Sequence, residues 1–133
     1  MEDEERGILI MIDGDHFKLI NDQYGHSTGD EVIKLLAQMI IGRIRTVDLA
    51  SRLHGDEFAI FVADTSDYTV AKNIMSDINQ TIHEESQKRK LPAITLSAGA
   101  VIAKHGDSYT ALAKAADDAL YRAKQTHNGG FAC

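Results

Sequence analysis

Apolar positions follow two rhythms along this chain. From Gly7 to Asp13 (GILIMID) they are continuous and rich in isoleucine, which predicts a strand buried on both faces and central in its sheet. Gly14 suits a turn where backbone comes close to another group. Phe17, Leu19 and Ile20 then predict a helical turn over 15–21, whose N-terminal amides suit phosphate oxygens. An ordinary strand-to-helix corner with an aspartate cap is the plainer reading of the same residues.

Gln23 to Gly29 (QYGHSTG) reads as a loop in which Ser27 or Thr28 caps the next element. Val32, Leu35, Leu36, Met39, Ile40 and Ile44 recur at helical spacing, so an amphipathic helix is predicted from about Thr28 to Arg45. Asp30 and Glu31 then fall in its first turn, where they favour the helix dipole or accept from a ligand's amino groups. Two apolar runs, 49–53 and 57–63, predict a hairpin with Leu49, Leu53, Phe58, Ile60 and Val62 buried and the adjacent carboxylates of Asp56 and Glu57 at its tip. A helix over 68–88 turns Val70, Ile74, Met75, Ile78 and Ile82 inward. After Pro92, residues 93–103 read as a long strand or strand pair, with Gly99 a weak point or bulge. The last helix, 109–125, carries a narrow buried stripe of Leu112, Ala115, Ala116, Ala119, Leu120 and Ala123, and the tail HNGGFAC reads as a loop.

This order predicts an α+β fold. Its first six elements form the β-α-β-β-α-β split unit of ferredoxin-like and palm folds, an antiparallel sheet with helices on one face, and a C-terminal helix follows. In that unit the first and third strands are the central pair, so Asp13 and the Asp56–Glu57 tip converge. Hard cations such as Mg²⁺ take one or two carboxylates plus phosphate oxygens. Two carboxylates on adjacent strand ends also form the arrangement of two-metal nucleotidyl transfer.

Composition narrows the candidates. A chain of 133 residues with 44% apolar content fits one domain, spanning 1–133, with a real core. Its net charge of −6 argues against a nucleic-acid surface, while a single nucleotide neutralised by magnesium stays compatible. The sole cysteine is the last residue, Cys133, which leaves no disulfide framework and suggests a reducing, cytoplasmic setting. No apolar run approaches a membrane span, and the start MEDEER is the opposite of a signal peptide's basic region. No histidine pair has zinc spacing: His83 and His105 read as solvent-facing, His26 as a loop hydrogen-bonder. Met11, Met39 and Met75 read as core.

Four stretches carry a resemblance: IDGDHFKLINDQYGHSTGDE (12–31), RTVDLASRLHGDEFAIF (45–61), TLSAGA (95–100) and AADDALYRAK (115–124). In this order and spacing the chain resembles the GGDEF domain, the diguanylate cyclase family, over nearly its whole length. The resemblance implies that Asp13 and Asp56 hold Mg²⁺, or Mn²⁺, with the Gly14 carbonyl. Glu57 would orient or deprotonate the attacking 3′-hydroxyl, with Gly55 lying close to the nucleotide. Asn21 and Asp30 would read guanine, whose N1–H and N2 amine give a carboxylate donors that adenine lacks. Amides near His16, Phe17 and Lys18 would cradle the β- and γ-phosphates, and Lys124 would add positive charge there.

Further implications are a homodimer that condenses two GTP into cyclic di-GMP and pyrophosphate, and control by a fused sensory domain. Arg45 and Asp48 match the family's RxxD inhibitory site for cyclic di-GMP; an isolated RxxD is a surface ion pair. The chain departs from the pattern at His54, where the family has glycine, and at Gly14, where it has a branched residue. Past Lys124, with His127, Asn128 and Gly129, a second basic phosphate contact is missing, and no Asp-x-Leu-Thr-x-Leu-x-Asn-Arg segment precedes the first strand. These departures define the alternative, a catalytically silent module that binds GTP or cyclic di-GMP and signals to a partner.

Overall fold

The computed structural model describes residues 7–104, 106–126 and 128–133. The readings of 1–6, His105 and His127 lie outside the described residues. In chain order the elements are β1 (Gly7–Gly14), α1 (Phe17–Tyr24), α2 (His26–Arg43), β2 (Leu49–His54), β3 (Glu57–Ala63), α3 (Tyr68–Lys88), β4 (Leu96–Ala103), α4 (Tyr109–Ala123) and β5 (Phe131–Ala132). The strands form one sheet in the order β2-β3-β1-β4-β5. β1 runs antiparallel to both β3 and β4, β2 antiparallel to β3, and β5 parallel to β4. This is the α+β split unit with a fourth helix and a short fifth strand. Among the described residues no helix is long and apolar enough to cross a membrane.

The central place of β1 explains its unbroken apolar run. Ile8, Ile10 and Ile12 enter a core built with Leu35, Leu36 and Ile40 of α2 and Ile74, Ile78 and Ile82 of α3. The alternate residues Leu9 and Met11 enter a second, smaller core with Ala116, against which Leu112 and Leu120 of α4 pack. Helices therefore cover both faces, and burying each of these aliphatic side chains contributes roughly 1.5–3 kcal/mol before conformational entropy is counted.

Several local expectations give way to tertiary context. The Asp15 carboxylate is drawn inside and His16 adopts a left-handed conformation (φ 60°), so α1 begins at Phe17 and not at 15. Gly25, at φ 91° and ψ 163°, separates α1 from α2 and is the N-cap of α2, displacing Ser27 and Thr28 from that role. Asp30 and Glu31 consequently lie beyond the first turn, and the dipole reading fails for them. Leu49 and Leu53 are 69% and 43% exposed, because β2 is an edge strand and α4 is seated mainly over β4 and β1. Val70 and Ala115 are also exposed; each sits at the rim of its helix's apolar stripe. The tail forms β5, whose two pairs Ala98↔Phe131 and Gly99↔Ala132 are too short to show a period in sequence.

Gly99 is no bulge. The β1–β4 register is unbroken from Gly7↔Ala103 to Gly14↔Leu96. Glycine is required instead by helix packing, since a Cβ at Gly99 would run into the backbone of Ala116, Ala119 and Leu120. Gly99→Ala must push α4 off the sheet. We expect a loss of about 2 kcal/mol, or a Tm lower by about 7 °C, in thermal unfolding followed by circular dichroism.

Candidate active site

Asp13 ends β1 directly opposite Glu57, the first residue of β3. Between β2 and β3 the chain turns through Gly55, at φ 53°, a left-handed conformation that glycine adopts without a Cβ clash. The Arg52 Nε donates to the Gly55 carbonyl across this turn at 2.8 Å. Asp56 folds inward over Gly14. The Gly14 amide donates to the Asp56 carbonyl at 3.3 Å, and the Asp56 Oδ2 lies only 2.8 Å from where a Gly14 Cβ would stand. The branched residue expected from the family pattern is thus replaced by room for the aspartate.

The Asp13 and Asp56 carboxyl groups meet within hydrogen-bonding distance. Burial, the Asp13 charge and that hydrogen bond push the Asp56 pKa up to about 6, with Lys124 opposing the rise. Two crowded carboxylates beside a backbone carbonyl are hard oxygen donors, and they fit a cation of the Mg²⁺ or Mn²⁺ type. Among the described residues no cluster of three or more Asp, Glu, His or Cys side chains competes with this set.

Lys124, just past α4, reaches into the same place. Its Nζ donates to the Gly14 carbonyl at 3.1 Å and to the Asp15 Oδ1 at 3.3 Å, and lies 3.4 Å from the Asp13 Oδ2. Asp15 is the residue whose importance the sequence reading missed. Its buried carboxylate accepts from the Thr95 hydroxyl at 2.6 Å, the Ser97 hydroxyl at 2.8 Å and the Gly129 amide at 2.9 Å. Burial alone would raise its pKa, but these donors and Lys124 together hold it below the ordinary carboxylate range. The available signal was two hydroxyls two residues apart, Thr95 just before β4 and Ser97 within it, at the head of an otherwise apolar strand.

His16, Phe17 and Lys18 open α1, with Phe17 packed on the core and Lys18 exposed. The Asn21 side chain rests directly against Gly29, where a Cβ would collide with it, and Asp30 is the next residue on α2. Asn21 of α1 thus stands against the α2 residue that precedes Asp30. A cavity of about 450 Å³ lies behind α1, lined by Leu19, Tyr24, Asn79, His83 and Pro92; Asp13, Asp56 and Glu57 stand outside it.

Arg45 and Asp48 stand at the far end of the hairpin. The Arg45 Nη2 and Nε donate to the Asp48 carboxylate at 2.8 and 3.1 Å, and Nη2 also reaches the Ala63 carbonyl at 2.7 Å. The Arg45 and Ala63 amides, both at 2.9 Å, complete the shell of Asp48. The Asp48 side chain is 1% exposed and that of Arg45 54%, so the aspartate anchors and the arginine is presented.

Burial opposes ionisation of Asp48, but the hydrogen bonds from Arg45 and Ala63 prevail and its pKa is lowered. A lowered folded-state pKa contributes stability above the unfolded value, about 4, that is lost as pH falls through the folded one. Asp48→Asn, which sets an NH₂ against donors, should cost about 2 kcal/mol at pH 7 in urea unfolding. The difference from the parent should shrink below about pH 4.

A family model described as "Diguanylate cyclase, GGDEF domain" matches residues 1–129. Diguanylate cyclase TpbB of Pseudomonas aeruginosa is 35% identical over 132 residues, covering 96% of this chain and 30% of that protein. Response regulator PleD of Caulobacter vibrioides is 34% identical over 119 residues, 86% of this chain and 26% of that protein. The chain thus spans less than a third of these relatives' length. Among solved structures, the GGDEF domain of DgcB from Caulobacter crescentus in complex with c-di-GMP superposes with a TM-score of 0.84 at 31% identity, covering 96% of this chain and 77% of that one. The active GGEEF domain of a diguanylate cyclase from Vibrio cholerae gives a TM-score of 0.84 at 34% identity over 96% and 82% of the two chains. On the match to the family model and to these relatives, the chain belongs to the GGDEF domain family of diguanylate cyclases.

Proposed function

We propose that this domain condenses two GTP into cyclic di-GMP with release of two pyrophosphates. The observation that carries the reading is the meeting of Asp13, Asp56 and Lys124 around the Gly14 carbonyl, at adjacent strand ends. Asp13, Asp56 and the Gly14 carbonyl would hold Mg²⁺ or Mn²⁺. The bound ion would supply charge neutralisation at the transferring phosphorus and acidify the attacking hydroxyl.

The rest falls to the chain's own groups. Asn21 on α1 and Asp30 on α2 read the guanine edge. The amides at the start of α1, His16 to Lys18, and the Lys124 ammonium hold the β- and γ-phosphates. Gly55 lets backbone lie against the nucleotide, and Glu57 orients the 3′-hydroxyl and takes up its proton. One subunit holds one GTP, so two subunits must face each other for each 3′-hydroxyl to reach the other's α-phosphate. Arg45, presented by the anchored Asp48, binds the product cyclic di-GMP and restrains the enzyme. Because the matched relatives are three to four times longer than this chain, we place the domain under the control of a sensory part, on the cytoplasmic side where GTP is found.

A silent receptor is the second reading. It is favoured by Asn128, which stands where the family pattern places a second basic phosphate contact. Incubating the chain with GTP and Mg²⁺ at concentrations that force dimers, while following pyrophosphate and cyclic di-GMP, separates the two. We expect product from the parent and none from Asp56→Ala; nucleotide binding without product from the parent would leave the receptor. Relief of carboxylate crowding gives a companion prediction. Without metal, Asp56→Asn should unfold about 4 °C higher than the parent, a gain of about 1 kcal/mol, even as product formation is lost.

A further inference from the structure

Three neighbouring strands set three side chains in a row. Asp13 lies opposite Glu57 across β1 and β3, and Glu57 lies opposite His54 across β3 and β2. Directly opposed residues of antiparallel strands project from the same face, with Cβ atoms about 4.5–5.5 Å apart. The last pairing depends on an irregularity. Arg52 pairs with Phe58, so an even register would set Leu53 against Glu57; a shift between Arg52 and His54 brings the imidazole there instead. Bulges of this kind re-aim a side chain at a strand end. The His54 Nε2 then lies 3.0 Å from the Glu57 Oε1, the separation of a direct polar contact.

Glycine, which the family pattern has here, offers Glu57 no such partner. We propose that His54 is a positioning residue that holds the Glu57 carboxylate for the attack of the 3′-hydroxyl; this rests on the cyclase reading above. Glu57 is 40% exposed, and an unpartnered glutamate in water samples many rotamers. Fixing it beforehand lowers the cost of reaching the transition state and leaves GTP affinity alone, since phosphates and guanine are held elsewhere.

The test compares the parent with His54→Gly, His54→Phe and His54→Gln in the pyrophosphate assay. His54 is 81% exposed, so these changes leave the core intact. We expect kcat to fall about tenfold in the glycine and phenylalanine variants with KM for GTP changed less than about twofold, and the glutamine variant, whose amide can still donate, to recover most of the rate. A second readout needs no turnover: the His54 ring nitrogen resonances should move in Glu57→Gln when neither nucleotide nor metal is present. Parent-like kcat in the glycine or phenylalanine variant, or ring resonances indifferent to Glu57→Gln, would overturn the positioning role while the parent's product keeps the cyclase reading alive. A parent that makes no cyclic di-GMP would sink both, and the absence of product tells that failure from the other.

Discussion

A single buried carboxylate, that of Asp15, holds the working end of this domain together. An ionised group out of water survives only when partners replace its hydration. Here the partners come from three places: hydroxyls of Thr95 and Ser97 at the start of β4, the amide of Gly129 in the tail, and the ammonium of Lys124 after α4. Satisfying Asp15 therefore fixes where Lys124 stands, and Lys124 stands on the Gly14 carbonyl. Two residues upstream the situation is reversed. Asp13 crowds against Asp56, and the pair is relieved only in part, by a hydrogen bond between the two carboxyl groups and by the Lys124 ammonium. A well-partnered anion supports a poorly partnered pair, which is how a fold can carry an electrostatically costly site.

The features legible in the sequence were those that topology alone determines. The doubly buried run of β1, the 68–88 helix and the convergence of Asp13 with Asp56 follow from apolar rhythm and the handed order of the split unit. The contact of Asn21 with Gly29, which admits no Cβ, is a close approach of α1 to α2 that no local pattern announces. What escaped was whatever a distant element decides. Gly99 looked like a weak point because nothing local announces that a helix backbone will rest on it. Leu49 and Leu53 looked buried because an edge strand carries the same alternation as a covered one. Ser27 and Thr28 are good caps by propensity, but Gly25 turned the chain first. β5 is held by Ala98 and Gly130, so its two residues are a strand only in the presence of β4.

The hairpin joins two sites of opposite character. At one end Asp48 is buried and saturated with donors; at the other Asp56 is short of them. The seven residues of β3 run between Ala63, bonded to Asp48, and Glu57 at the tip, a distance of roughly 20 Å at strand rise. The unbroken β1–β3 register carries from Ala63, bonded to Asp48, to the tip, where the carboxylates meet without a cap of their own.

The site also draws on both extremes of the chain, from Asp13 to Gly129. Residues 7–63 hold β1 and the hairpin, and with them both crowded carboxylates. Asp15 is anchored and the lysine seated only by later residues, Thr95, Ser97, Lys124 and Gly129. The carboxylate pair and the lysine beside it are thus assembled from segments far apart in sequence, so a change in the stretch after α4 reaches the strand ends through Asp15.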